Sequence, residues 1–274
     1  MNSESTARAR FAALLERDPV PLDEAALAIA AEDDPELEPA VYLARLDALG
    51  ARVRERAPEG AASTLRALRE VLHVEEGFRG NDVDYYDPRN SFLNRVLDRH
   101  LGIPISLSVL WIEVARRAGL PLEGVGFPGH FLVKYASRGG PEVFVDAYHG
   151  GEMLSADECA ARHHARSGQE LDRRHLEGVT PRQILARMLH NLRRIYADRK
   201  DPVGAWWVAD RLLVLAPGQL EALRDRGLAA AKLGGAEAAS RDLEEYLSKA
   251  PRSGDTAEAR AALVRLRQHR PLAN

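Results

Sequence analysis

Apolar residues recur at three- and four-residue spacing through residues 7–17, 23–33 and 36–56, as Leu43, Leu46, Leu49 and Val53 illustrate. That period predicts amphipathic helices. Pro19, Pro21, Pro35 and Pro39 predict breaks or first turns, because proline lacks the amide hydrogen a helix interior needs. Asp23 and Asp34 are the expected N-caps. Leu65, Leu68, Val71 and Leu72 carry the pattern on over residues 60–78, which should end near Gly77. A turn-rich stretch follows, then a helix over 90–97 with Asn90 or Ser91 as its cap. A strongly apolar helix over 106–118, SLSVLWIEVARRA, is entered through Gly102, Ile103 and Pro104 and closed by Gly119. Its few polar positions predict burial.

Beyond Pro121 the period changes. Val125, Phe131, Val133, Tyr135, Val143 and Val145 lie in short β-prone runs divided by Ser137, Arg138, Gly139, Gly140 and Pro141. This predicts an antiparallel hairpin. If the hairpin is symmetric about Arg138, His130 on the first strand faces Asp146 on the second. A one-residue slip would send the two to opposite faces.

Helical periodicity returns near Thr180, now as a repeat. Pro217 and Pro251 are separated by a tetratricopeptide period, and each follows an apolar helix end. Aligned on these prolines, Leu189 pairs with Leu223, Tyr196 with Ala230, Ala205 with Ala239 and Leu212 with Tyr246. Gly227 and Ala239 supply the small positions of the second copy, whereas Arg193 replaces the corresponding glycine of the first. Residues 256–268 are expected to cap the stack. The expected division is residues 1–178 and residues 180–270.

Composition narrows the function classes. With 45% hydrophobic and 29% charged residues the chain should pack a core, and 38 Lys and Arg against 41 Asp and Glu leave a net charge of -3. That balance gives no field to attract nucleic acid. Cys159 is the single cysteine, so an internal disulfide is excluded and a reducing, cytoplasmic setting is expected. The N-terminal residues match neither a secretory signal nor a membrane span. The histidines, among them His73, His100, His149, His163, His164 and His175, show no HExxH spacing, and the glycines form no phosphate loop. The sequence therefore assigns no metal and no cofactor.

Several motifs stand in a telling order: GFRGN (77–81), YYDPRNSFL (85–93), GIPISL (102–107), GHFLV (129–133) and FVD (144–146). Together they resemble the bacterial SirB-type family, over roughly residues 10–265. The resemblance implies an α+β, papain-like transglutaminase-like domain, with a helical N-terminal part and a small antiparallel sheet, followed by all-α tetratricopeptide repeats. It also implies that His130 is the family histidine and Asp146 its orienting acid. Enzymes of this architecture need a thiolate at a helix N-terminus, activated by the histidine. Here, counting back from Arg116 and Gly119, the cysteine position falls on Pro104.

Two readings remain open at this point. One is a regulatory or scaffolding protein that keeps the cleft without the thiol and recognises a protein or peptide, with Tyr196, Trp206 and Trp207 as candidate contact residues on the repeats. The other is an amide or ester acyl-transfer enzyme using Ser106 with His130 and Asp146, since a helix N-terminus favours developing negative charge. Cys159 reads as a small, partly buried hydrophobe rather than a relocated nucleophile.

Overall fold

The computed structural model of the protein describes residues 3–57, 59–136, 140–250 and 256–268. The chain divides into two compact units, Met1–Met188 and Leu189–Asn274.

The first unit opens on helices α1 (Ser3–Leu15), α2 (Leu22–Ala30), α3 (Pro39–Arg56) and α4 (Ala61–Arg69), the last running into a π-helical turn over Glu70–Glu75. Helices α5 (Leu93–Arg99) and α6 (Pro104–Arg117) follow. Helix α6 is the core: every residue from 104 to 115 is buried, and Trp111 is completely so. Proline fits its first position, where no intrahelical N–H partner is needed. The turn is closed by Ser106, whose hydroxyl accepts the Ile103 amide at 3.0 Å. Two-residue strands β1 (Arg79–Gly80) and β2 (Leu101–Gly102) pair in parallel just before it.

The caps differ from those expected. Pro21 occupies the cap position of α2, and Asp23 lies in the first turn with its carboxylate turned to Arg116 and Arg117, at 3.1 and 2.6 Å. Two guanidiniums, the largely buried Arg117 and the exposed Arg116, claim that carboxylate in place of a cap amide. Asp34 does not cap α3 either, which enters through Glu38 and Pro39. Asn90 and Ser91 belong to a short 3-10 turn capped by Asp87, and α5 begins after Phe92.

The sheet has the order β6-β5-β4-β3-β7, all neighbours antiparallel, from β3 (Glu123–Val125), β4 (Leu132–Tyr135), β5 (Val143–Asp146), β6 (Glu152–Leu154) and β7 (Gly178–Val179). The β4–β5 register pairs Val133 with Val145 and Lys134 with Phe144, which centres the hairpin on residue 139 rather than 138. The pairing is displaced by two residues from the expected one, and an even displacement preserves the faces. The turn residues 137–139 lie outside the described residues. Helix α7 (Ala156–Ser167) follows β6 with a capping box between Ser155 and Glu158.

The second unit contains the C-terminal part of α8 (Pro181–Asp198), then α9 (Pro202–Leu215), α10 (Leu220–Lys232), α11 (Ala236–Lys249) and α12 (Ala257–Gln268). Of the aligned positions, Leu189, Tyr196, Leu212, Leu223, Ala230, Ala239 and Tyr246 are buried and Ala205 is half-buried. Pro251, one of its two markers, lies outside the described residues. Gly227 has no room for a side chain, since a Cβ there would stand 2.8 Å from Leu243. Arg226 on α10 joins Asp210 on α9 (2.8 Å) to Asp242 on α11 (2.7 Å), both aspartates buried. Among the described residues no helix is long and apolar enough to cross a membrane.

Candidate functional site

The lead-in to β4 and the exit from β5 converge on one carboxylate. Pro128 and Gly129 turn the chain, Gly129 at φ +69°, so that His130 hangs at the mouth of β4 with its amide donating to Phe127 O at 3.0 Å. Asp146 ends β5. Its Oδ2 is 2.9 Å from His130 Nε2 and equally 2.9 Å from His149 Nδ1. Its Oδ1 accepts the backbone amides of Tyr148 and His149, at 3.1 and 3.2 Å. Side-chain exposure is 13% for His130, 5% for Asp146 and 60% for His149, so the group is rooted in the core and open on one side.

Burial alone would raise the Asp146 carboxyl, but the hydrogen bonds and charge of His130 and His149 overcome it and hold the group down at about 2. A depressed carboxylate contributes stability that is complete above its unfolded value near 3.8 and is lost as pH falls toward 2. Asp146→Asn should therefore cost about 2 kcal/mol in urea denaturation near neutral pH. The difference from the wild type should shrink between pH 4 and pH 2; a constant difference would refute this linkage.

Tyr148 stands edge-on to both imidazoles, at ring-centre distances of 6.1 Å to His130 and 5.1 Å to His149. Its hydroxyl donates to Asp82 at 2.7 Å, and burial together with that carboxylate pushes its ionisation upward. A Cβ at Gly80 would stand 2.5 Å from the Tyr148 ring, so the β1–β2 pair sets the position of the tyrosine. A cavity of about 150 Å³ beside the histidines is also lined by Cys159, Arg162 and Arg166. Cys159 is buried, packs with Val125, Leu132 and Phe144, and burial pushes its thiol up to about 11. It is poorly suited to act as a thiolate.

Ser106 is placed differently. It is fully buried, and its hydroxyl reaches Asn90 O at 2.6 Å and Ile103 O at 3.1 Å while accepting the Ile103 amide. One hydroxyl hydrogen is thus committed to the helix entrance, a capping role. Pro104 occupies the first position of α6.

On the repeats, Trp207 is buried edge-on against Tyr196, with ring centres 5.8 Å apart. Gly204 admits this packing, since a Cβ there would stand 2.3 Å from the Tyr196 ring. Trp206 is half-buried. Tyr196, itself buried, forms part of the wall of a groove of about 470 Å³, whose rim carries Arg194, Lys200, Arg224 and Lys232. Burial of an aromatic pair against glycine is not visible in a Trp-Trp dipeptide, so the sequence could not separate the two tryptophans.

His149 and Tyr148 were missed as site residues because their sequence spacing matches no ligand or catalytic motif. A local signal exists: the Asp146 carboxylate accepts the backbone amides two and three residues on, and Gly150 and Gly151 follow at φ +71° and +70°. That is an Asx-type turn directly after a strand.

The transglutaminase-like superfamily model matches residues 40–190, and a tetratricopeptide repeat model matches residues 192–264. A UPF0162 protein of Xylella fastidiosa is 40% identical over 265 residues, covering 94% of each chain. One of Pseudomonas aeruginosa is 34% identical over 206 residues, covering 74% of this chain and 75% of its own. F-box only protein 21 of Homo sapiens is 35% identical over 140 residues, 48% of this chain and 21% of that protein. The chain belongs to the SirB-type UPF0162 family, in which a transglutaminase-like domain precedes tetratricopeptide repeats. This architecture points to protein interaction in general.

Proposed function

We propose that the protein is a non-catalytic regulatory or scaffolding protein of the cytoplasm, which recognises a protein or peptide through its repeats and uses the transglutaminase-like domain as a rigid platform. The observation that carries this reading is the entrance of α6. Pro104 offers no nucleophile there, and the Ser106 hydroxyl is buried and committed to the Asn90 and Ile103 carbonyls. An alcohol nucleophile needs a base within hydrogen-bond reach, and the hydrogen-bond partners of the Ser106 hydroxyl are the Asn90 and Ile103 carbonyls and the Ile103 amide, none of them a base. The groove on the repeats supplies a recognition surface, and the exposed Lys200 and Lys232 on its rim suit a partner segment bearing carboxylates.

The test combines two measurements. Amide and ester substrates should not be turned over by the wild type, and alkylating the protein should change nothing. Co-purification of partners by the intact chain should survive Ser106→Ala, whereas the pair Lys200→Glu and Lys232→Glu should weaken partner binding roughly tenfold. Turnover lost in Ser106→Ala would instead establish the serine acyl-transfer reading.

A further inference from the structure

Three side chains with metal-ligand chemistry meet at the end of β5, although His130, Asp146 and His149 follow no contiguous motif. Their donor atoms lie within 4.8 Å of one another, and two of the three distances are 2.9 Å. We propose that His130 Nε2, Asp146 Oδ2 and His149 Nδ1 form a binding site for one divalent transition-metal ion of the zinc class.

Two imidazoles and a carboxylate are the donor set that borderline divalent ions prefer, and three protein ligands leave one position for water. The carboxylate is already aimed. Its Oδ1 is fixed by the amides of Tyr148 and His149, which leaves Oδ2 facing the two rings. Such orienting contacts behind a ligand are characteristic of metal sites. The ring centres are 5.6 Å apart, and one nitrogen of each ring meets the same carboxylate oxygen, Asp146 Oδ2.

Donors around a four-coordinate ion with bonds of about 2.0–2.1 Å stand about 3.3 Å apart. The two 2.9 Å separations need to open by a few tenths of an ångström, and the two ring nitrogens, which lie within 4.8 Å of each other, need to settle at a similar spacing. Both histidines lie in turns flanking strands and not in the strands themselves, which permits that adjustment. On binding, the ring hydrogens facing Oδ2 give way to the ion and pass to the other ring nitrogens or to solvent.

The arginines lining the neighbouring cavity are otherwise engaged. Arg162 pairs with Glu152, and Arg166 donates to Pro128 O. His149 is the exposed member, so an ion enters from its side. The assignment is separate from the recognition reading above, since it requires binding and no turnover.

The probe is cobalt(II), added to the chelator-treated full chain and followed by visible absorption, with zinc(II) as competitor. One equivalent should bind and be displaced by zinc. His149→Ala should weaken binding at least about 100-fold, because loss of a ligand should exceed the loss seen for outer-shell partners. His175→Ala, at an exposed site elsewhere, should leave it unchanged. On the wild type, nitrogen resonances of the His130 and His149 rings should shift together on zinc addition, which keeps the test valid if the alanine variant fails to fold. Absence of binding, equal binding in His149→Ala, or ring resonances that stay in place would overturn the proposal.

Discussion

Replacing Arg117 by alanine should destabilise the first unit by about 3–5 kcal/mol at neutral pH, as expected when one partner is removed from a buried ion network. Arg117, 11% exposed in its side chain, holds Asp23 at 2.6 Å, Asp47 at 2.6 Å and Glu113 at 2.8 Å. Asp23 and Glu113 are both buried, with side-chain exposures of 6% and 4%. Arg116 also reaches both acids, but its side chain is 58% exposed and more strongly screened, so it offsets only part of the loss.

The pH dependence gives the experiment its sign. Burial first, and then the charge of Asp23, already raise the Glu113 carboxyl despite the two arginines. A carboxyl raised in the folded state penalises folding above its unfolded value and ceases to do so when it is protonated. The deficit of Arg117→Ala should therefore be smaller at about pH 5 than at about pH 8 in urea denaturation. A deficit below about 1 kcal/mol at both values would mean that the network contributes no more than a surface pair.

The second large effect is expected on the repeats. Arg226→Leu should cost about 3 kcal/mol, because Asp242 loses both hydrogen bonds from that guanidinium and is left buried, while Asp210 keeps Arg211 at 2.5 Å. The double variant Arg226→Leu with Asp242→Leu should recover much of the loss, since removing both members of a buried pair leaves no stranded charge. The measurement is thermal and urea unfolding of the full chain. A double variant no more stable than the single one would show that the leucines do not pack between α10 and α11, and a single variant with wild-type stability would remove the network from the account.

How much of this was legible in the sequence follows from the range of each interaction. The helices were legible because a 3.6-residue period needs only neighbours, and α6 was predicted buried from its apolar run. Asp23 was not, since the arginines that claim its carboxylate stand more than ninety residues downstream. The meeting of His130 and Asp146 was anticipated from a symmetric hairpin, yet the strands pair about residue 139 and the histidine lies outside them. Two adjacent glycines at 139 and 140 make the turn's centre unreadable to within a residue. Ser106 was a candidate nucleophile by position on a helix N-terminus, and only the carbonyl of Asn90 reveals where its hydrogen goes.

The division of labour within Asp146 bears on which sequences can occupy that position. One oxygen receives two backbone amides, and the other faces two imidazoles. An asparagine would have to turn its oxygen to the two amides and its NH2 to the rings, which removes the negative charge and forces both imidazoles into the accepting tautomer, and a glutamate would carry the carboxylate about one methylene beyond both sets. Position 146 is thus isolated in sequence space, with no single replacement that preserves both halves of the pattern, whereas exposed His149 can be changed without opening the core. Drift in this corner of the protein should accordingly spare its acidic centre.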